Sequence, residues 1–227
     1  MWVVVVLTTT AIAATFLFTP RFPVPVPDAG PPLTPFGWTA DRTLAAGDGV
    51  RGMRDGTGAQ ARFDDPWGIV VMEDGTRYVA DAGDTNRIRR IAPDGSVSTL
   101  AGGIEGFSDG TGSAAAFNTP SALARDLDDN LYVADTGNHA IRRITPQGVV
   151  TTVAGTGEPG YRDGPGAQAQ FNGPVGVAVD GRGRILVADT YNDRVRVIGR
   201  DGQVTTLAGG ETPGFLDGTG TQARFDT

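Results

Sequence analysis

Short apolar and alternating runs recur along the chain, separated by turn residues. Between residues 163 and 216 there are four of them: VGVAV (Val175–Val179), ILVAD (Ile185–Asp189), RVRVI (Arg194–Ile198) and VTTLA (Val204–Ala208). Each run is short and rich in β-branched side chains, which is typical of β-strands. Gly, Asn and Asp between the runs supply the backbone geometry that tight turns need. The pattern predicts a four-stranded antiparallel meander.

The meander repeats with one fixed period. The segment D-G-[TP]-G begins at four aspartates with a spacing of 54 residues (109 − 55 = 54, and likewise for the later pairs): Asp55, Asp109, Asp163 and Asp217. The same period relates Phe63, Phe117, Phe171 and Phe225, and also Pro66, Pro120 and Pro174. Four short strands in a repeat of this length are typical of a β-propeller blade. We expect the phenylalanines to plug the space between blades and the prolines to begin the innermost strands.

The repeats predict an all-β propeller with three complete four-stranded blades and partial blades at both ends. Residues 38–227 form this domain, with blades at about 55–108, 109–162 and 163–216 and a partial blade at 217–227. Arg42–Gly47 resembles the last strand of each blade, which indicates the other partial blade. Rings need about four to eight blades. We therefore expect a six-bladed ring and a natural reading frame that continues past Thr227. If the chain is complete, the alternative is a homodimer that closes one ring.

The N-terminal region predicts the location. Residues 1–19 read as a signal-anchor or signal peptide, because Trp2–Phe18 is uncharged, mostly apolar and slightly short of the roughly 20 residues that span a bilayer. The lack of a basic start favours an uncleaved anchor, while a cleaved signal peptide and an ordinary buried segment stay open. Residues 20–37 are proline-rich and predict a semi-rigid spacer. We expect the propeller to be membrane-anchored and extracytoplasmic, in the periplasm or at the cell surface, with secretion as the alternative.

Composition narrows the chemistry. The 227 residues include no cysteine, and all 19 basic residues are arginine, which excludes thiolate nucleophiles, disulfides and lysine bases. A net charge of −7 disfavours nucleic acid as a partner. The single histidine, His139, cannot build a zinc site made of several histidines.

The second and third runs of each unit resemble the NHL repeat, whose core reads V-A-D-T-x-N-H-R-I-R. The matching segments are VADAGDTNRIRRI (Val79–Ile91), VADTGNHAIRRI (Val133–Ile144) and VADTYNDRVRVI (Val187–Ile198). From about Thr43 to Thr227 the chain is similar to bacterial exported NHL proteins, some of which carry gluconolactonase-like names. The resemblance implies a β-propeller that serves mostly as a scaffold for interaction.

Loops at one end of the propeller form the predicted binding face. In an antiparallel meander, the turns between the second and third strands and the connections to the next blade emerge at the same end. Polar loops with one aromatic side chain per repeat favour docking of a partner. The candidates are Asn86, Arg87, Phe107, Asn138, His139, Tyr161, Tyr191, Asn192, Arg194 and Phe215. The alternative is that Phe107, Tyr161 and Phe215 only pin down their own loops, and that His139 is an element of its turn.

Charged residues that recur in every blade are predicted to be architectural. They are Asp81, Asp135 and Asp189 at the end of the second strand, and Arg89, Arg142 and Arg196 on the third. A catalytic group is needed once, whereas a blade contact is needed in each repeat. We interpret both sets as turn caps and blade-linking ion pairs. The D-G-[TP]-G segments lack the carboxylate spacing of a calcium-binding loop and are interpreted as solvated turns.

These features predict a scaffold that binds a protein or glycan ligand, with no catalytic residue, no bound metal and no cofactor. The alternative is a gluconolactonase-like hydrolase, in which a divalent metal such as calcium would polarise a lactone carbonyl. That site would need carboxylates that do not recur, whereas the acidic residues here mostly recur in register.

Overall fold

The computed structural model describes Val5–Val6 and residues 43–227. Strand β1 (Val5–Val6) pairs antiparallel with β2 (Thr43–Leu44). The remaining strands form three sheets, which we call blades I, II and III. This arrangement confirms the predicted all-β fold.

Blade I is a four-stranded antiparallel meander of β3 (Pro66–Val71), β4 (Arg77–Asp81), β5 (Arg87–Ile91) and β6 (Val97–Gly102). Blade II adds β7 (Gly110–Thr111) outside the four-strand meander of β8 (Pro120–Arg125), β9 (Leu131–Asp135), β10 (Ala140–Ile144) and β11 (Val149–Ala154). Blade III likewise adds β12 (Gly164–Pro165) to β13 (Pro174–Val179), β14 (Ile185–Asp189), β15 (Arg194–Ile198) and β16 (Gln203–Ala208). Single 3-10 turns lie at Gly112–Ala114, Thr136–Asn138, Thr190–Asn192 and Gly220–Gln222.

The four strands of blade III agree with the four runs of the sequence to within one residue at each end. Each innermost strand begins at the predicted proline, which pairs with the aspartate that ends the second strand: Pro66 with Asp81, Pro120 with Asp135, and Pro174 with Asp189. The repeat therefore fixes the register as well as the number of strands.

The D-G-[TP]-G segments are largely exposed, as expected of solvated turns, but two of them also form short strands. In blade II, Gly110 pairs with Val150, and in blade III, Gly164 pairs with Val204, so the connection between blades adds a short fifth strand to the outer edge. Gly56 forms the same kind of bridge with Val97 in blade I. An outer strand presents backbone groups that need partners, and the passing connection supplies them.

The apolar core lies between the blades. One cluster joins blades I and II around Phe117, and a second joins blades II and III around Phe171; both rings are fully buried. A third cluster packs Phe63 and Ala46 against blade I. The predicted role of the repeated phenylalanines as plugs between blades is confirmed for Phe117 and Phe171. Phe225, the fourth member of the series, is 41% exposed.

The predicted segments 1–19 and 20–37 lie outside the described residues, apart from Val5–Val6. Within the part of the chain that the structure describes, no helix has the length and apolar character needed to cross a membrane.

Candidate functional site

The strand register defines two ends of the blade array. Because each second strand ends beside the start of the first, the turns after the second strand lie at the same end as the entry to each blade. We call this end the loop face; it carries the turns 82–86, 136–139 and 190–193 and the beginnings of the connections that follow Gly102 and Ala154. The opposite end carries the turns between the first and second strands, such as 126–130.

The side chain of Arg142 organises the loop-face half of blade II. Its guanidinium is fully buried and donates to the Asp135 carboxylate at 2.7 Å and to the Asp109 carboxylate at 2.9 Å. It also donates to the backbone oxygens of Ala116 at 3.1 Å and of Ser108 at 2.8 Å. One side chain thus joins the third strand, the second strand and the connection that arrives from blade I.

The same network is built in the other two blades. Arg89 donates to Asp81 at 2.9 Å and to Asp55 at 2.7 Å. Arg196 donates to Asp189 at 2.6 Å and to Asp163 at 2.6 Å. Both arginines are fully buried. The two sets of residues that the sequence marked as architectural are therefore brought together within each blade, and each arginine also ties its blade to the incoming connection.

The aspartates of the D-G-[TP]-G segments are members of this network that sequence reasoning missed. Besides pairing with Arg142, Asp109 accepts a hydrogen bond from the Thr152 hydroxyl at 2.9 Å on the outer strand. Asp163 likewise accepts from the backbone N–H of Thr206 at 3.1 Å. The signal that pointed to a shared role is the recurrence of these aspartates every 54 residues and of one buried arginine in each blade.

Burial dominates the electrostatics of the carboxylates at the ends of the second strands. Desolvation raises the pKa of Asp135 to about 6, although Asn138, the backbone N–H of Asn118 and the Arg142 guanidinium each lower it. Desolvation also raises the pKa of Asp81 and of Asp189. The hydrogen-bond donors and the arginine are needed because an ionised carboxylate that is buried without such partners destabilises the folded protein.

Several predicted binding-face residues are used inside the fold. Asn138 is buried, and its amide donates to the Gly106 backbone oxygen at 2.8 Å and to Asp135 at 2.9 Å. Asn192 donates in the same way to the Gly160 oxygen and to Asp189, both at 2.9 Å. These amides hold the connecting loops to the turns. They therefore make hydrogen bonds inside the fold, whereas the sequence predicted that they belong to the binding face.

Of three residues at one repeated turn position, two link neighbouring blades. Asn86, His139 and Asp193 all have left-handed backbones, with φ of 42°, 50° and 51°. Asn86 is buried, and its side-chain oxygen accepts from the backbone N–H of Thr119 in the entry to blade II at 2.6 Å. His139 Nδ1 accepts from the backbone N–H of Gly173 in the entry to blade III at 3.0 Å. His139 is therefore more than an element of its own turn.

Two of the predicted aromatic side chains pack on the arginines. The Phe107 ring lies 5.0 Å from the Arg142 guanidinium carbon. Tyr161 lies 4.0 Å from that of Arg194 and 4.9 Å from that of Arg196, and its hydroxyl is 2.9 Å from the hydroxyl of Thr206. Both rings nevertheless stay partly exposed, at 40% for Phe107 and 46% for Tyr161. They pack on these arginines and leave part of each side chain open to solvent.

The remaining candidates are more open. Tyr191 is 64% exposed, and its ring covers Gly173, where a β-carbon would collide with it. Phe215 is 94% exposed. Arg87 begins the third strand of blade I, is partly buried and reaches the Gly103 backbone oxygen at 3.4 Å.

The loop face combines buried, paired charges with exposed aromatic rings. The Asp and Arg side chains of the three networks are paired with one another, and the exposed groups beside them include aromatic rings and the Asp84 carboxylate, whose side chain is 94% exposed. Among Val5–Val6 and residues 43–227, no group of three or more His, Asp or Glu side chains is arranged to hold a metal ion. The arrangement can hold exposed aromatic side chains in fixed positions, where a binding partner could contact them.

Comparison with known proteins identifies the repeat. The NHL repeat family matches residues 117–144 and 171–198, which cover the first three strands of blades II and III and the entry to each blade. The chain is 33% identical over 173 residues to Protein SUPPRESSOR OF QUENCHING 1, chloroplastic, of Arabidopsis thaliana, and 30% identical over 169 residues to NHL repeat-containing protein 2 of Gallus gallus. Each match covers 69% of this chain, but only 16% and 22% of the two relatives.

Solved structures give the same result for the fold. An auxiliary nutrient binding protein from Bacteroides thetaiotaomicron is 30% identical and superposes with a TM-score of 0.54 over 58% of this chain and 36% of its own. Repeat sequence, blade architecture and these similarities agree, and the chain belongs to the NHL-repeat β-propellers.

Proposed function

We propose that this chain is a binding scaffold that recognises a protein or glycan ligand on its loop face and catalyses no reaction of its own. The observation that carries the proposal is the contrast on that face between buried charged networks and exposed aromatic side chains. The buried Asp and Arg side chains of the three networks there hold the blades and their connections together, while aromatic rings stay open to solvent.

The charged networks argue for a scaffold because the carboxylates that end the second strands are buried and already paired with arginines. A general acid or base needs a free proton site within reach of a substrate. Asp135 instead contacts Asn118, Asn138 and Arg142 in a fully buried position. Asp81 and Asp189 are buried in the same way.

The exposed rings argue for binding because they are held in place before a ligand arrives. Phe107 and Tyr161 rest on arginines, and Tyr191 rests on Gly173. Rings fixed in this manner lose little conformational freedom when a partner covers them, and aromatic side chains dominate the energetics of many interfaces. The auxiliary nutrient binding protein that resembles this chain is named for binding, which is consistent with the proposal.

We also propose that the propeller works outside the cytoplasm, joined to a membrane by Trp2–Phe18. The apolar run and the proline-rich spacer of the sequence support this location. Protease added to intact cells should digest the propeller, and full protection of the propeller would contradict the location.

The binding proposal is tested with the full-length protein on a printed array of oligosaccharides and on a library of displayed peptides. Hits are then measured by calorimetry with the parent, Tyr191→Ala and Leu127→Ala. Leu127 is a matched control, because it is 93% exposed but lies in the 126–130 turn at the opposite end. We expect Tyr191→Ala to weaken binding at least tenfold and Leu127→Ala to leave it unchanged.

Equal binding by both variants would place the site away from Tyr191 and contradict the loop-face assignment. Absence of specific hits in both libraries would contradict the scaffold proposal. Turnover of lactones by the same preparation, with added calcium, manganese or zinc, would show that the chain is an enzyme.

A further inference from the structure

His139 occupies a position that spans two blades. It ends the turn of blade II, where its own N–H donates to the Thr136 oxygen at 3.1 Å, and its ring accepts from the backbone N–H of Gly173 at the entry to blade III. Because Nδ1 is the acceptor, the neutral ring must carry its hydrogen on Nε2. A second proton can therefore enter only at the atom that holds blade III.

Blade I shows what this position does when it cannot titrate. Asn86 has the same left-handed backbone, and its side-chain oxygen accepts from Thr119, the residue 54 positions before Gly173. An amide oxygen stays an acceptor at every pH in the working range. The two blade junctions thus contain equivalent hydrogen bonds. Of the two, only the bond between blades II and III uses an acceptor atom, His139 Nδ1, that can be protonated.

We propose that the His139–Gly173 hydrogen bond is a pH-sensitive latch between blades II and III, closed when the imidazole is neutral and opened when Nδ1 takes up a proton. Protonation sets two N–H groups against each other, so the bond is lost and the Gly173 N–H is left without its partner. The latch is independent of which ligand the loop face binds.

The charges around the ring set the balance. Partial burial lowers the pKa of His139, whereas Glu158 in the connection between the blades and Asp189 at the end of β14 raise it by their negative charge. Asp135, at the start of the same turn, is paired with Arg142. Burial is the largest of these effects, so the neutral, closed form is favoured at neutral pH.

The lowered pKa of His139 determines how the stability of the folded protein changes with pH. The unfolded chain takes up a proton on His139 near pH 6.5, while the folded chain resists it to lower pH. The contribution of the latch is therefore fully present above pH 6.5 and is lost as the pH falls below it. Asp135 acts in the opposite sense, because its raised pKa costs stability as the pH rises from 3.8 toward 6.

The test uses the full-length protein and the fact that it has one histidine. Long-range 1H–15N spectra between pH 4.5 and 8.5 report the tautomer and the pKa of His139 directly. We expect the Nε2–H tautomer at neutral pH, a pKa below 6.5, and a Gly173 amide signal that titrates with the same midpoint. Exchange of that amide, corrected for its intrinsic pH dependence, should be roughly fivefold faster once the ring is charged, the factor that a net hydrogen bond of about 1 kcal/mol represents.

Two variants separate the latch from other titrating groups. His139→Asn restores a permanent acceptor of the kind that Asn86 provides, so the melting temperature of the parent relative to this variant should fall as the pH drops from 7.5 to 5. The contribution of Asp135 is common to both proteins and cancels. Asn86→His should add a second acid-sensitive step at the junction between blades I and II.

A pKa of His139 at or above 6.5, an Nδ1–H tautomer at neutral pH, or a constant difference between the parent and His139→Asn would each overturn the latch. The spectra of the parent decide the matter even if a variant fails to fold.

Discussion

The hydroxyl of Ser121 in blade II donates a hydrogen bond to the backbone oxygen of Val175 in blade III at 2.9 Å, and the two residues are one repeat apart. Both stand second in their innermost strands, so the bond joins equivalent positions of neighbouring blades. Thr136 makes a parallel link from its hydroxyl to the Pro174 oxygen at 2.7 Å. In blade I, Trp67 stands at this position and is 49% exposed.

We expect Ser121→Ala to lower the free energy of unfolding by about 1 kcal/mol, because the variant removes the hydroxyl that donates a hydrogen bond to the Val175 backbone oxygen. Chemical denaturation followed by circular dichroism measures the effect. Ser113→Ala, in the exposed 3-10 turn Gly112–Ala114, is the control and should change stability by less than about 0.5 kcal/mol. Equal effects would show that the bond between strands adds nothing.

Arg142→Met should destabilise the protein by about 3–5 kcal/mol, since it leaves the buried Asp135 carboxylate without its charged partner. Arg125→Met is the comparison, because Arg125 pairs at 3.2 Å with Glu73, whose side chain is 87% exposed. Exposed pairs are worth about 0–1 kcal/mol. Thermal and urea unfolding of both variants gives the two numbers, and similar losses would refute the structural role assigned to the buried network.

Gly68→Ala should be strongly unfavourable, although Gly68 lies inside strand β3, at the register shift between Pro66 and Ile69, and not in a turn. A β-carbon there would lie 2.5 Å from the Ser121 backbone oxygen and 2.8 Å from the Ala122 α-carbon, so blade I would have to move away from blade II. Overpacking of this kind costs about 1–3 kcal/mol.

Gly181→Ala is the matched control, because its β-carbon would meet nothing within 4 Å. It should be neutral or stabilising by up to about 1 kcal/mol, through the reduced freedom of the unfolded chain. Calorimetric melting of the two variants tests the close approach of the innermost strands, and equal melting temperatures would argue against it.

Phe107 and Phe215 stand at the same repeat position but should respond differently to truncation. Phe107→Ala removes the ring that lies on Arg142 and should cost about 1–2 kcal/mol of stability. Phe215→Ala should cost less than about 0.5 kcal/mol, because the ring is 94% exposed. Denaturation curves for the pair would decide whether pinning the loop is the main role of the Phe107 ring; equal costs would speak against it.

The sequence determined the repeating architecture because period and polarity are local properties. The 54-residue spacing of aspartates, phenylalanines and prolines predicted the number of strands per blade and the start of each innermost strand. It also predicted that Phe117 and Phe171 fill the space between blades, since a large apolar ring at every repeat has nowhere else to be buried.

Only the tertiary structure decided what the polar residues do. Arg142, Asp135 and Asp109 are separated by up to 33 residues and meet because strands and connection fold over one another. Burial turned Asn86 and Asn138 from candidates for ligand contact into internal hydrogen-bonding groups, and it gave the ring of His139 a partner 34 residues away. A polar side chain is equally suited to water, a ligand or a buried partner, and its sequence neighbours do not distinguish these; the packing of the blades does.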